Sequence, residues 1–183
     1  IRSVRVDIAS DAEYEEVATT VRLLNEDPGI NGVLVQSPLP SGMDEVSITD
    51  LIDPNKDVDG FHAQNLGRLV QGDVSGLLPC TPAGVMRMLE STDLEIRGKR
   101  AVVIGRSRIV GMPQSILLAQ RGVDATVTIA HSRTTDMADL CRSADLIVAA
   151  VGRPNMITPD WIKPGATIID VGVNRVNDDS EKG

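Results

Sequence analysis

The amino-acid sequence predicts an α/β protein of two domains, the second of them built on a doubly wound parallel sheet. Short apolar runs rich in β-branched residues alternate with segments of helical periodicity along the chain. One of these runs ends in a turn with a glycine at each end, 105–111, that leads into a helical segment. A chain of 183 residues can hold two small domains. We expect them at 1–82 and 83–183, with a ligand cleft between them.

The first domain is expected to open with a strand–helix–strand unit. Apolar and charged residues alternate over 4–8, which predicts a strand. A capping-box pattern at Ser10 precedes helical spacing that ends near Asp27, and the apolar run 32–36 predicts a second, parallel strand. Prolines follow that run, so Gln36 should lie at the carboxyl end of a strand, where open α/β sheets bind their ligands.

The rest of the first domain is more polar. A short helix is predicted at 44–52, and the segment 53–60 holds three carboxylates and one lysine. Two interpretations of this segment stay open, a solvated loop and a ligand-binding loop. Asp57 and Asp59 have the chemistry of metal ligands, but no histidine or cysteine completes a site, so no metal centre is expected. His62 is expected in a loop.

The second domain repeats the alternation of strand and helix. A connecting helix is predicted at 83–89, with Thr81 as its N-cap and Pro82 as its first residue. The predicted strands are the apolar runs 101–104, 125–130, 146–151 and 167–171. The helices predicted between them are 112–121, a segment that ends at 140, and the short 159–162. Parallel strands joined by helical crossovers predict a Rossmann-like fold.

The strand, turn and helix over 98–113 predict a phosphate-binding point. Gly105 ends a buried strand and permits close approach of the backbone to a ligand, and Gly111 closes the turn before the helix. Backbone N–H groups and the helix dipole then converge on one point. The pattern is neither G-x-G-x-x-G nor a P-loop, so a turn without a ligand stays open as the alternative.

Residues after the next strand indicate which nucleotide is bound. A dinucleotide fold usually places a carboxylate about 20 residues beyond the glycine turn, where it holds the ribose 2′-hydroxyl. That count from Gly111 reaches Ser132 and Arg133, with no acidic residue at either position, and Arg106 lies in the turn itself. These donors favour a 2′-phosphate, hence NADP over NAD. The alternative for Arg133 is a surface residue at a helix start. His131 is expected to contact the nucleotide rather than act as a base.

Composition and charge argue against several classes of function. The formal net charge of −8 argues against a general nucleic-acid binder, which needs a basic face. No apolar run is long enough to cross a membrane, and no signal peptide is recognisable. Cys80 and Cys141 lack the spacing of paired motifs, so a reducing, cytoplasmic location is expected. The chain starts without methionine and stops in the polar run 177–183, so we expect it to be part of a longer protein.

Five motifs occur in an order that resembles a known enzyme family. They are Gln36-Ser-Pro-Leu-Pro40, Lys56-Asp-Val-Asp-Gly60, Pro79-Cys-Thr-Pro82, Gly105-Arg-Ser-Arg-Ile-Val-Gly-Met-Pro113 and His131-Ser-Arg-Thr134. Over essentially the whole chain they are similar to the bifunctional methylenetetrahydrofolate dehydrogenase/cyclohydrolase family. The resemblance implies NADP-dependent oxidation of 5,10-methylenetetrahydrofolate to 5,10-methenyltetrahydrofolate, then hydrolysis to 10-formyltetrahydrofolate, in one-carbon metabolism and purine biosynthesis. It also implies that 1–82 binds folate, that 83–183 binds NADP, and that the protein is commonly a homodimer.

The same resemblance implies roles for individual residues. Asp59 corresponds to the carboxylate that binds the pterin ring, and Gln36 to the active-site glutamine that steers a catalytic lysine. The residues implied at the cofactor phosphates, ribose and nicotinamide are Thr81, Arg106, Ser107, Ser132, Arg133, Gly172 and Val173.

Three departures from the family pattern keep alternatives open. The family's Tyr-x-x-x-Lys motif, whose lysine is the main acid/base group of the hydrolysis, precedes the start of this chain, and Lys56 is not its equivalent. The family's Pro-Gly-Gly-Val-Gly-Pro motif is absent, and Ser37 replaces a leucine. The alternatives are another two-domain NADP dehydrogenase of the shikimate type, a truncated non-catalytic nucleotide-binding module, and an α/β domain without a site.

Overall fold

A computed structural model of the chain describes residues 1–174. The chain divides into two compact units, Ile1–Cys80 and Thr81–Gly183. The polar run 177–183 lies outside the described residues. Within 1–174, no helix combines the length and the apolar character needed to span a membrane. The assignment of folate binding to 1–82 and of cofactor binding to 83–183 stays a prediction.

The first unit contains helices α1 (Tyr14–Glu26), α2 (Glu45–Thr49) and α3 (Ala63–Gln71). Apolar residues at helical spacing give α1 one buried face, formed by Val17, Ala18 and Val21. This face packs in one core cluster with Ile48 of α2. Each valine or isoleucine side chain buried in this way stabilises the fold by about 1.5–3 kcal/mol. Two of the helices predicted for this domain, α1 and α2, are therefore confirmed.

The predicted strand at 4–8 is wrong. The segment has no regular hydrogen-bonded structure, and Val4 is 52% exposed. The second predicted strand, 32–36, is reduced to one isolated parallel bridge between Val33 and Asp57. Alternating apolar and charged residues form a strand only where a neighbouring strand completes the hydrogen-bonded ladder. Within residues 1–80, the only such partner is Asp57, which bridges to Val33.

The predicted capping box at Ser10 is also wrong. The N-cap of α1 is Glu13, which makes no side-chain cap hydrogen bond. Ser10 lies instead in a turn that is closed by the N–H of Ala12 donating to the carbonyl of Ala9, at 3.1 Å. The helix therefore starts after this turn rather than at the serine.

Helix α3 was not predicted, because its hydrophobic pattern is short. Its ends are nevertheless well defined. The Nδ1 atom of His62 accepts a hydrogen bond from the N–H of Gln64 at 3.0 Å, so the histidine serves as N-cap. Gly72 ends the helix in the left-handed conformation, with φ of 80°. Leu69 is the apolar residue of this helix that is completely buried.

The second unit is built on strands β1 (Arg100–Ile104), β2 (Thr126–Ala130), β3 (Leu146–Ala149) and β4 (Thr167–Asp170). Their order in the sheet is β2-β1-β3-β4, and every neighbouring pair is parallel. The connecting helices are α4 (Cys80–Glu90), α5 (Gly111–Ala119), α6 (Met137–Ser143) and the short 3-10 helix Pro159–Trp161. The strand order reverses between β1 and β3, so the prediction of a doubly wound sheet is confirmed.

Both faces of the sheet are covered, which explains the uninterrupted apolar run in β1. Ala101 and Val103 pack in a core cluster with residues of α4 and α5. Val102 and Ile104 pack on the opposite face in a cluster with residues of α6. All four side chains are at most 2% exposed.

Helix α4 starts earlier than predicted. Its first residue is Cys80, so Thr81 lies in the first helical turn and is not the N-cap. Pro82 fits this turn because a backbone N–H there has no acceptor within the helix. Both the predicted N-cap, Thr81, and the predicted first residue, Pro82, are therefore helical, and Thr81 is exposed on the first turn.

Asp145 joins three segments at the amino edge of the sheet. Its Oδ2 atom accepts a hydrogen bond at 2.8 Å from the N–H of Arg100, the first residue of β1. Its Oδ1 atom accepts one at 2.6 Å from Nζ of Lys163, on the segment that leads to β4. The hydrogen bond from Lys163, and then that from Arg100, lower the pKa of the Asp145 carboxyl below its ordinary value.

We expect Asp145→Asn to reduce the free energy of unfolding at neutral pH, because the folded state loses a charged acceptor. A carboxyl whose pKa is lowered in the folded state stabilises the protein above its unfolded pKa. That contribution is lost as the pH falls through the folded pKa. The difference between variant and wild type should therefore shrink as the pH falls to about 3.

Urea denaturation at both pH values measures this difference. Asp139→Asn is the matched control, because Asp139 pairs with Arg142 at a site where both side chains are largely exposed. A deficit of Asp145→Asn that is undiminished in acid would contradict the role given to the carboxylate.

Candidate functional site

The two turns predicted to bind the nucleotide leave the sheet side by side. The register pairs Ile104 at the end of β1 with Ala130 at the end of β2. One residue further on, the N–H of Gly105 still donates to the carbonyl of Ala130, at 2.8 Å. The turn that begins at Gly105 and the turn that begins at His131 therefore start at the same level of the carboxyl edge.

The glycines of this edge have no room for a side chain. Gly105 has φ of 124°, and a Cβ built on it would lie 2.5 Å from the carbonyl oxygen of Ala150, after β3. A Cβ on Gly111 would overlap the carbonyl oxygen of Gly105, because the turn closes on itself. A Cβ on Gly172, after β4, would overlap the carbonyl oxygen of Val151. Only glycine permits this close backbone packing.

Ser107 caps α5 from within the turn. Its Oγ accepts hydrogen bonds from the N–H groups of Val110 and Gly111, at 3.2 and 3.3 Å. Its carbonyl accepts one from the N–H of Met112, at 3.0 Å. The first N–H groups of the helix are therefore occupied, and the serine hydroxyl points at them. This differs from the expectation that the helix N-terminus itself is open to a phosphate.

The open donors lie earlier in the turn. Within residues 1–174, the N–H groups of Arg106 and Ser107 have no acceptor at hydrogen-bonding distance. The Arg106 side chain is exposed. Two neighbouring backbone donors beside a guanidinium suit an anion.

The turn after β2 is closed by its own hydrogen bonds. The N–H of His131 donates to Oγ1 of Thr134 at 2.9 Å, and the N–H of Thr134 donates back to the carbonyl of His131 at 2.8 Å. Nδ1 of His131 accepts from the N–H of Arg133 at 3.2 Å, so this nitrogen is not free to act as a base. Ser132 and Arg133 are exposed at the tip of the turn.

The structure therefore brings together some predicted cofactor residues and not others. Arg106, Ser107, Ser132 and Arg133 lie on neighbouring turns, whereas Gly172 and Val173 follow β4, two strands from β1. The N–H of Gly172 donates to the Asp170 carboxylate at 2.8 Å, and Val173 is 91% exposed. Thr81 lies on α4 and makes no hydrogen bond to these turns within the part of the chain described.

A cavity of about 270 Å³, which was not predicted from the sequence, lies at the carboxyl ends of β3 and β4. It is lined by Ala149, Val151, Arg153, Asn155, Ile168 and Asp170, among others. The available signal was the Gly152-Arg-Pro154 sequence, which starts three residues beyond the end of β3. Its position obeys the rule that open α/β sheets bind ligands beyond the carboxyl ends of their strands.

In the first unit, Gln36 lies on an exposed segment without regular secondary structure, so its predicted position at the carboxyl end of a strand is wrong. Its Nε2 atom donates to the carbonyl of Ser37 at 3.0 Å. The hydroxyl of Ser37, the residue that departs from the family pattern, donates to the Glu45 carboxylate at 2.9 Å. The side chains of Gln36 and Ser37 are both exposed.

Asp59 is half-buried, and its neighbour Asp57 is fully buried. Burial raises the pKa of the Asp59 carboxyl above its ordinary value, and the negative charge of Asp57 raises it further. Asp59 thus combines access to a ligand with partial removal from water, which strengthens any hydrogen bond that it accepts.

Lys56 shows that the segment 53–60 is not simply a solvated loop. Its Nζ atom donates to the carbonyls of Asn25 and Asp27 at 2.6 and 2.9 Å, and to that of Leu24 at 3.3 Å. These are the carbonyls at the end of α1, which has no basic residue in its own last turn. The lysine therefore supplies the positive charge that a helix C-terminus favours.

The family model described as tetrahydrofolate dehydrogenase/cyclohydrolase, NAD(P)-binding domain, matches residues 79–183. The model described as tetrahydrofolate dehydrogenase/cyclohydrolase, catalytic domain, matches residues 1–59.

Individual relatives agree with these matches. The bifunctional protein FolD of Phenylobacterium zucineum is 54% identical over 183 residues, covering 100% of this chain and 61% of the relative. The crystal structure of the bifunctional enzyme FolD from Campylobacter jejuni has a TM-score of 0.88 at 41% identity, covering 91% of this chain and 58% of that one. The Trypanosoma brucei enzyme, crystallised with NADP and an inhibitor, has a TM-score of 0.88 at 40% identity, covering 94% and 58%. The chain spans about three fifths of the length of each.

Proposed function

Because the chain belongs to the tetrahydrofolate dehydrogenase/cyclohydrolase family, we propose that the protein oxidises 5,10-methylenetetrahydrofolate to 5,10-methenyltetrahydrofolate with NADP. We propose that it then hydrolyses this product to 10-formyltetrahydrofolate. In this proposal 1–82 contributes the folate site and 83–183 the NADP site. The observation that carries it is the side-by-side placement of the turns that start at Gly105 and His131.

The residues at the carboxyl edge fit a phosphorylated dinucleotide. The backbone at Gly105, Gly111 and Gly172 packs so closely against neighbouring carbonyl groups that only glycine fits at these positions, which keeps the turns at the carboxyl edge compact. In doubly wound folds the end of β2 meets the adenine ribose, and a carboxylate there selects an unmodified 2′-hydroxyl. Here Ser132 and Arg133 occupy that place, and a hydroxyl with a guanidinium suits a 2′-phosphate. The Trypanosoma brucei relative is a complex with NADP.

In the dehydrogenase step, the main role of the protein is to orient the substrate and the cofactor relative to each other. When bound, NADP takes up the hydride that the methylene carbon of the substrate loses. The N–H groups of Arg106 and Ser107 and the side chains of Arg106, Ser132 and Arg133 would hold the phosphates of the cofactor. Holding two rings in fixed geometry removes the entropic cost of bringing them together, which is a large part of the barrier to such a reaction.

Asp59 is the proposed anchor for the folate ring. A carboxylate accepts two parallel hydrogen bonds from an amino-pyrimidine edge, in the manner of an Arg–carboxylate pair. Its half-buried position and its raised pKa are consistent with a group that meets its ligand away from bulk water. Gln36 is proposed as a positioning residue for the hydrolysis, since an amide orients a proton-transferring group but does not itself exchange the proton.

The assembly and location of the protein are proposed from the same family resemblance. We propose a homodimer, which sedimentation velocity would reveal as a particle of twice the 19.5 kDa chain mass. A cytoplasmic location is supported by Cys80 and Cys141, which are both free thiols, as is common in reducing compartments.

Asp59→Asn tests the folate site directly. We expect the unaltered chain to bind tetrahydrofolate, and the variant to bind it roughly 10- to 100-fold more weakly, because a charge-assisted hydrogen bond contributes about 1.5–3 kcal/mol. Affinity for NADP should stay within about twofold, since Asp59 is not among the residues proposed to bind NADP. Isothermal titration calorimetry with each ligand measures both. Undiminished tetrahydrofolate binding by the variant would rule out the role of Asp59.

Assays of the unaltered chain distinguish the proposed reaction from the two alternative functions. A rise in absorbance at 340 nm with NADP and 5,10-methylenetetrahydrofolate, and none with shikimate, supports the proposed reaction over a shikimate-type dehydrogenase. NADP binding with no such rise and no tetrahydrofolate binding favours a nucleotide-binding module that does not catalyse.

Arg133→Ala tests the choice of nucleotide. We expect its NADP affinity to fall about 10-fold or more, with NAD affinity within about twofold, because only NADP carries a 2′-phosphate for the guanidinium. Arg121→Ala is the matched control. Arg121 is exposed and precedes β2, so its substitution removes the same charge at the opposite, amino edge of the sheet. Equal losses for NADP and NAD, or an equal loss in the control, would show that Arg133 acts only through general charge.

A further inference from the structure

We infer that Asp57 is a positioning residue of the folate site: its buried carboxylate fixes the turn 57–60 and thereby presents Asp59 to the substrate. This inference rests on the proposed function of Asp59. From the sequence, Asp57 has only the chemistry of a metal ligand, in a segment where no metal centre is expected.

The carboxylate of Asp57 binds groups beyond the turn. It is 0% exposed, and its Oδ2 atom accepts hydrogen bonds from the N–H of His62 at 2.8 Å and from Nδ2 of Asn65 at 3.0 Å. Asn65 is itself 1% exposed, and the same Nδ2 atom donates to the carbonyl of Pro54 at 2.9 Å. One oxygen of Asp57 thus connects the chain before the turn, through Asn65, with the chain after it.

The backbone of the turn is held from the remaining sides. The N–H of Gly60 donates to the carbonyl of Asp57 at 3.1 Å. Gly60 has φ of 68°, and a Cβ there would lie 2.6 Å from the nitrogen of Pro79. The thiol of Cys80 donates to the carbonyl of Val58 at 3.1 Å. Asp59 therefore stands on a turn whose start, end and middle are all fixed, with its own side chain left half-exposed.

The buried carboxylate of Asp57 lacks the cation that usually accompanies a buried charge. Within residues 1–174, no Lys, Arg or His nitrogen lies within ion-pair distance of Asp57, and its Oδ1 atom has no hydrogen-bond partner. Burying a charge without a cation is unfavourable, and an apolar residue of similar size commonly gives a more stable fold. Local features that lower stability are expected at functional sites. The gain here is the fixed geometry of the neighbouring Asp59.

The charge of Asp57 also provides a specific readout. The titratable groups around the turn are Asp59, Cys80 and His62, with Asp50 beyond them, whose carboxylate accepts from the N–H of Ala63 at 3.0 Å. Asp57 raises the pKa of Asp59, after the larger effect of burial. Replacing Asp57 by a neutral residue of the same shape should therefore move the pKa of Asp59 down, towards its ordinary value.

The experiment uses two variants of Asp57 in the full 183-residue chain, with tetrahydrofolate and NADP as the titrated ligands. Asp57→Leu removes the acceptor and should weaken tetrahydrofolate binding about 10-fold or more, with NADP affinity unchanged. Asp57→Asn keeps one oxygen as acceptor and should retain tetrahydrofolate affinity within about threefold. In this second variant, carbon-detected NMR should show Asp59 titrating at lower pH.

A matched control separates positioning from loss of stability. Ile48→Ala removes a fully buried core side chain of the first unit without touching the turn. If the two variants have similar melting temperatures and Asp57→Leu binds tetrahydrofolate more weakly than Ile48→Ala, the positioning role of Asp57 is supported. An equal loss in both, or no loss in Asp57→Leu, overturns it. Should Asp57→Leu not fold, the conservative variant decides: an unchanged Asp59 titration in Asp57→Asn overturns the inference.

Failure of the proposed function has a different signature. If the unaltered chain does not bind tetrahydrofolate, or if Asp59→Asn binds it as well as wild type, the folate site itself is wrong. The role of Asp57 is then overturned with it. If Asp59→Asn loses binding and neither Asp57 variant differs from wild type, the folate site stands and only the positioning role is wrong.

Discussion

The proposed nucleotide site depends on the register between β1 and β2. Because Ile104 pairs with Ala130 and the N–H of Gly105 continues the ladder, two turns leave the sheet at one level. A slip of one residue would move every side chain of a strand to the opposite face of the sheet, so the packed core on both sides fixes this register. The arrangement of Arg106 and Arg133 on adjacent turns is thus a consequence of aliphatic packing some distance away.

In the first unit, hydrogen bonds between polar groups, rather than the register of a sheet, position the candidate site residue. Lys56 holds the end of α1, its carbonyl accepts from the N–H of Val33 at 2.7 Å, and the next residue, Asp57, holds the start of α3. Two adjacent residues therefore join helices that are distant in sequence. This network, rather than a strand, sets the position of Asp59. In this network, fixed hydrogen bonds replace the water around the Lys56 ammonium and the Asp57 carboxylate. Removing either side chain would therefore leave its hydrogen-bond partners unsatisfied.

Local patterns predicted the second unit well and the first unit less well. The apolar runs around β1 and β3 are continuous because both faces of the sheet are buried, and this signal is local. The strand predicted at 4–8 failed because a strand also needs a neighbour, which a pattern in one segment does not report. Lys56 and Ser107 illustrate the same limit at the candidate site. The acceptors of Lys56 lie about 30 residues earlier in the chain, and the cap provided by Ser107 depends on how the turn folds back.

The most direct measurement follows the backbone amide signals of the chain by NMR as NADP is added, and then NAD. With NADP, the largest shifts should fall on the N–H groups of Arg106, Ser107, Ser132 and Arg133. The amino ends of the same strands, at Arg100 and Thr126, should stay unchanged. The difference between NADP and NAD should be concentrated at Ser132 and Arg133. Shifts centred on the amino edge of the sheet, or the absence of any difference between the two nucleotides at the turn after β2, would contradict a 2′-phosphate site at the ends of β1 and β2.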